Sequence, residues 1–282
     1  SIPMSSEGLF EVPEWGCQEG TSTNTCTIDG FLSTLLCAKW KDPFFLGRLI
    51  GNDLFTTVCR DFAGGKDKLS ERKKTFIEAL YPTEDDGEYD LWGDEQSMIH
   101  ERAKRQSEIV VTATCVDCYQ ELVETRDAFI VRPFEGESLV DAIHATIAAP
   151  VRDFCDKELG YCTEKKEVTV KVSETTWMIP IDLSQCPINP VHIGKLPPLI
   201  TVGGVIFQLG GVTIYINYKD RADRKKSGGH YSCVMWHEMK WLYYDGMAAP
   251  KLQTIRKLSD INRLKENVVF TCKCAYYFRA SD

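Results

Sequence analysis

Apolar residues recur at helical spacing over Ile28, Phe31, Leu32, Leu35 and Leu36, which predicts an amphipathic helix opening at Cys26, with Asn24 or Thr25 ahead of it as cap. Two or three further helices are expected. One lies in the apolar-rich span from Phe44 to Phe62, and another carries Leu69, Lys73, Phe76, Ile77 and Leu80 on one face and ends near Pro82. Residues 83–90 are acidic and read as a solvated loop, and Asp94 to Gln106 as a last helix with His100 exposed on it. From Glu108 the period changes to two. Ile109 to Thr114 predicts a strand, the Cys115-x-x-Cys118 segment a tight turn, and 127–132 the returning strand. A short helix over Leu139, Ile143 and Ile147 stops before Pro150. Val168, Val170 and Val172 alternate cleanly, and 177–183 continues as strand with Pro180 at an edge or bulge. Residues 188–198 read as a loop with His192 at the surface. Ile200 to Asn217 predicts two strands joined at Gly210 and Gly211. After the charged connection 219–229, Tyr231 to Val234 pairs with Trp241 to Tyr244 as a hairpin. The last strand sets Val268, Phe270, Cys272, Cys274, Tyr276 and Phe278 on one core face. Helices followed by antiparallel strands make the class α+β.

With 282 residues and a 43% apolar share, the chain can build a real core as one large elaborated domain or two. Its 33 basic and 41 acidic side chains leave a net charge of −8, which argues against a nucleic-acid surface and for a basic partner. No apolar run approaches the roughly 20 residues that span a bilayer, so no membrane association is expected, and residues 1–12 lack a signal-peptide pattern. Disulfide frameworks concentrate in chains too short to bury a core, so the twelve cysteines point to a reduced, cytoplasmic or nuclear setting.

Three positions carry candidate chemistry. Cys26 lies in the first turn of its helix, where backbone N–H groups and the macrodipole favour a thiolate; a buried core cysteine is the alternative. The hairpin brings His230 within reach of Asp245, and a carboxylate on one ring nitrogen leaves the other free to act as a base. His100 and His144 lie on helices away from the hairpin, His192 in a loop and His237 at the hairpin tip, which leaves His230 as the partner for a thiol. Gly228 and Gly229 before it let another backbone approach. Separately, Cys115 and Cys118 at a hairpin tip suit one structural zinc ion. Cys155 and Cys162, which begin 37 residues after Cys118, supply the other two thiolates at a looser spacing.

The segment 24–35, NTCTIDGFLSTL, resembles the Cys box of the ubiquitin-specific proteases, and 228–245, GGHYSCVMWHEMKWLYYD, resembles their His box; 274–279, CAYYFR, looks like the final palm strand. The resemblance implies a single papain-like catalytic domain over 1–282, with a helical thumb (about 1–107), zinc-ribbon fingers (108–175) and an antiparallel palm (176–282). It implies a Cys26 nucleophile, a His230 base and an Asp245 orienting acid, with Gly228, Gly229 and Tyr231 beside the substrate tail. The partners implied are conjugates of ubiquitin or a ubiquitin-like protein, acted on by a monomer. Two positions depart from the family pattern. Thr21 stands where an oxyanion-holding Asn is usual, with Gln18, Asn24 or helix-start N–H groups as substitutes, and Asp29 stands where Asn is common. The second departure looks like the divergent USP-like SUMO isopeptidase. A binding module without turnover is the reading that Thr21 invites.

Overall fold

The computed structural model describes residues 13, 15–104, 106–133, 135–148, 166–186, 188–218, 229–237 and 240–280. Among these, no helix is long and apolar enough to cross a membrane.

The first half is helical. A two-stranded ribbon, β1 (Gln18–Glu19) and β2 (Ser22–Thr23), precedes α1 (Cys26–Lys41), α2 (Phe45–Arg48), α3 (Leu54–Gly64) and α4 (Leu69–Leu80). The acidic stretch expected to be wholly loop contributes β3 (Tyr89–Asp90), which pairs in parallel with β2. Every residue of α1 from Cys26 to Ala38 is buried, so this helix is enclosed all round rather than amphipathic. The cause is its place between the other helices and the large sheet.

The predicted helix from Asp94 is a π-helical turn (Gln96–His100) running into α5 (Glu101–Ala103). His100 is buried there, not exposed, with its Nε2 3.4 Å from the Cys274 sulfur. Its burial follows from the π turn packing on α1 while the imidazole reaches Cys274 and Tyr276 of the sheet.

The second half is β. A three-stranded sheet is formed by β4 (Ile109–Cys115), β5 (Glu121–Arg126) and the later β7 (Lys166–Val172). The turn at Cys115–Cys118 is present, closed by Cys115 N–H donating to the Gln120 carbonyl at 2.8 Å. The returning strand is β5, not 127–132; from that stretch β6 (Phe129–Ile130) leaves to join the main sheet beside β8. The predicted short helix is α6 (Leu139–Ala148).

The main sheet contains β6, β8 (Met178–Asp182), β9 (Leu199–Val202), β10 (Val205–Tyr218), β11 (His230–His237), β12 (Lys240–Tyr244), β13 (Leu252–Ile255) and β14 (Val268–Arg279), in the order β13-β12-β11-β10-β14-β8-β6, with β9 on β10. The turn before β10 is at Gly203 and Gly204, both at positive φ, rather than at Gly210 and Gly211. The latter pair sits inside β10 at a bulge. A Cβ at Gly210 would fall on the Phe278 ring, and one at Gly211 on Thr34 of α1. Those glycines allow close packing, a demand that looks like turn chemistry in sequence.

A second irregularity corrects the last strand. Thr213 pairs with Cys274 and Ile214 with Cys272, so Lys273 is an extra residue and the alternation changes phase. Cys272 packs with Phe270 and Ile214 on one face, whereas Cys274 packs with Tyr276 and Phe278 on the other, against α1. Both faces of the sheet are thereby covered.

Candidate active site

The α1 helix starts at Cys26 because the ribbon before it folds back: Thr25 N–H donates to the Cys17 carbonyl at 3.1 Å. Thr25 is the N-cap position, yet its hydroxyl does not cap. It donates instead to Asp29 Oδ2 at 2.8 Å and receives a 2.8 Å hydrogen bond from Lys73 Nζ. Lys73 and Asp29 form an ion pair of 2.7 Å with side-chain exposures of 0% and 1%, which places a salt bridge directly under the helix start. Lys73 also faces the Trp15 ring at 5.3 Å. Trp15 is tied in turn by its carbonyl to the Tyr244 hydroxyl at 2.8 Å, so residues 15–17 are held over the same spot.

The opposite side comes from the sheet. Tyr244 pairs with Cys233, so Asp245, one residue on, comes back towards the start of β11. His230 Nε2 and Asp245 Oδ1 are 2.6 Å apart, both residues buried. Asp245 is braced by Lys265 Nζ at 2.8 Å and by Met247 N–H at 2.9 Å. Burial pushes its carboxyl upward, but His230 and then Lys265 outweigh this and hold it below the usual carboxylate range. For His230, burial acts downward and is overcome by Asp245 and Cys26, which lift it to about 9.

The other ring nitrogen faces sulfur. His230 Nδ1 is 3.6 Å from Cys17 Sγ, and the sulfurs of Cys17 and Cys26 lie with a ring nitrogen of His230 inside a 4.8 Å cluster. Cys26 is held down to about 4, first by a hydrogen bond from the Cys17 thiol against the opposing effect of burial, then by His230 and the Tyr231 backbone N–H. The Cys17 thiol is pushed up correspondingly. The helix start and the Tyr231 N–H surround Cys26, which is why the charge belongs on that sulfur. This arrangement can present a thiolate beside an imidazolium fixed by a carboxylate. Alkylation of Cys26 by iodoacetamide should accordingly run at pH 6 close to its rate at pH 8, since a thiol depressed to about 4 is ionised at both. A thiol of ordinary pKa near 8.5 would be slower at pH 6 by about 100-fold.

The structure thus brings Cys26, His230 and Asp245 together. Thr21 is exposed in the β1–β2 turn, its carbonyl accepting from Tyr89 N–H at 3.0 Å. Asn24 donates its amide to Asp90 at 2.8 Å. Gly229 leads into β11, where a Cβ would meet the Tyr215 ring, and the Tyr231 ring packs on Tyr215 with centroids 5.1 Å apart. Gly228 lies outside the described residues, as do Cys155 and Cys162. Of the expected zinc set, Cys115 is buried at the end of β4 and Cys118 is exposed in the turn that follows.

Cys17 and Lys73 are the site residues that sequence reasoning missed. Lys73 did announce itself, as a charge on an otherwise apolar helix face. Cys17 had no signal beyond a second thiol nine positions before Cys26; only the ribbon places it there.

No protein-family model matches the chain, and no curated protein does. Solved structures do. The Ubp8/Sgf11/Sus1/Sgf73 DUB module of SAGA superposes with a TM-score of 0.51 at 11% identity, covering 100% of this chain and 70% of that one. The same module with a point-substituted Ubp8 gives 0.50 at 12%, covering 100% and 71%. The fold is ubiquitin-hydrolase-like. The Saccharomyces cerevisiae Pan2 pseudoubiquitin hydrolase–RNA exonuclease module matches at a TM-score of 0.50 and 9% identity, with 99% of this chain on 57% of that one. The ubiquitin-hydrolase-like fold is therefore shared with proteins described as a DUB module and as a pseudohydrolase, at identities that speak to architecture alone.

Proposed function

We propose that the chain is a thiol isopeptidase that removes ubiquitin, or a ubiquitin-like modifier, from lysine side chains. The observation that carries this reading is the His230–Asp245 pair at 2.6 Å, with the Cys26 sulfur at a helix start on the other side of the imidazole. The Cys26 thiolate attacks the carbonyl of the modifier's C-terminal glycine. His230 passes its Nδ1 proton to the departing lysine amine, then takes a proton from the water that hydrolyses the thioester. Asp245 holds the imidazole by Nε2 throughout. With the Asn24 amide given to Asp90, the oxyanion falls to the Thr21 hydroxyl or to backbone N–H groups opening α1.

On this reading the helices are the thumb, β4, β5 and β7 the fingers with a zinc ribbon at their tip, and the main sheet the palm. Gly228, Gly229 and Tyr231 flank the modifier's tail. The setting is cytoplasmic or nuclear. The alternative of a silent binding module has a counterpart in the pseudohydrolase neighbour. The buried, carboxylate-held histidine beside a depressed thiol favours turnover.

Ubiquitin and SUMO bearing C-terminal electrophiles separate these readings. Labelling by the ubiquitin probe that disappears in Cys26→Ala is the expected result. Labelling by the SUMO probe alone transfers the activity to that modifier. Labelling by neither would sink the isopeptidase.

A further inference from the structure

We propose that Cys17, Cys26 and His230 form a zinc-binding site, and that metal and thiol chemistry exclude one another there. The isopeptidase reading uses one sulfur, yet two lie against the same imidazole. Cys17 Sγ is 3.6 Å from His230 Nδ1, and all three donor atoms lie within 4.8 Å of one another. Zinc bonds of about 2.3 Å to sulfur and 2.0–2.1 Å to nitrogen set neighbouring donors of a tetrahedron roughly 3.5–3.8 Å apart, so the cluster closes on an ion with small side-chain rotations.

The surroundings are also those of a metal site. The far nitrogen of His230 meets Asp245 at 2.6 Å, and Asp245 is braced by Lys265 at 2.8 Å. A carboxylate on the outer nitrogen is the usual support of a metal-bound imidazole. Cys26 and His230 are buried, while Cys17 is partly exposed and leaves a way in. Two thiolates and an imidazole suit zinc and leave one coordination position for water. Binding displaces both the Cys17 thiol proton and the Nδ1 proton of His230. The bound ion then occupies the sulfur lone pair that would attack a carbonyl and the nitrogen that would carry the proton.

The test titrates Zn²⁺ into the full chain in a non-thiol reductant and follows Cys26 alkylation by peptide mass, with calorimetry alongside. One equivalent at this site should protect Cys26, and a chelator should restore alkylation. Cys17→Ser should need about 100-fold more zinc for the same protection. Asp245→Asn, which leaves all three donors in place, should need about 10- to 100-fold more. Comparison with Cys17→Ser removes any zinc held at Cys115 and Cys118, since both proteins carry that pair. Equal zinc potency in wild type and Cys17→Ser overturns the proposal. So does protection reversed by reductant rather than chelator, which would mark a Cys17–Cys26 disulfide. Alkylation reads the metal whether or not a modifier is cleaved, so failure here leaves the isopeptidase reading intact.

Discussion

Asp245→Asn lowers the rate of ubiquitin-tail cleavage by about 10²- to 10⁴-fold, because the imidazole loses the partner that fixes its tautomer and supports its charge. The same change moves the alkaline limb of the pH–rate profile. His230 is raised to about 9 against burial chiefly by Asp245, so without that carboxylate the imidazolium deprotonates nearer its ordinary value of about 6.5 and activity is lost at lower pH. Steady-state cleavage of a ubiquitin–fluorophore amide between pH 5 and 10 measures both effects. An unchanged alkaline limb would show that Asp245 does not act through His230. Lys265 loses an ion-pair partner in this variant as well, so the unfolding midpoint is measured beside the rate.

Lys73→Met has the second large effect, this time on stability. It strands Asp29 in the core beneath the helix start, and breaking a buried pair on one side costs about 3–5 kcal/mol. Burial already lifts Asp29 to about 7 against Lys73 and Thr25. A carboxyl raised in the folded state favours folding below its unfolded value of about 3.9, and that contribution is lost as pH rises through about 7. The penalty in Lys73→Met should therefore be largest above pH 7 and shrink in mild acid, where the stranded carboxyl takes up a proton. Lys73→Met with Asp29→Leu should recover most of the loss at neutral pH, since neither charge is then left alone. Urea unfolding of the wild type and both variants at pH 5.5 and 8 decides it: a penalty independent of pH would mean that the lysine acts by packing.

The hairpin was legible because its signals are local. His230, the alternating run after it and the carboxylate ending β12 lie within sixteen residues, and pairing alone brings the ends together. The start of α1 was legible for the same reason. What escaped depends on distant contacts. Gly210 and Gly211 look like a turn unless the positions of Phe278 and Thr34 are known. Cys272 and Cys274 look like neighbours on one face unless the bulge at Lys273 is known. His100 looks like a polar residue on an outer helix until the π turn carries it beneath the sheet, beside Cys274. Cys17 reaches the site through a seven-residue ribbon excursion whose return point at Thr25 is a single backbone hydrogen bond.

The glycine that α1 meets matters beyond packing. Thr34 seats over bare backbone at Gly211, where an added Cβ would clash with it, whereas one at Gly30 of the helix would meet Thr213 and Cys233 only in ordinary contact. Cys26 rides on this helix and His230 on the strand beside it, so the gap between sulfur and imidazole is gauged by the side chain that is missing at Gly211. Chemical reactivity at Cys26 therefore doubles as a ruler for how closely the two halves of the molecule are seated.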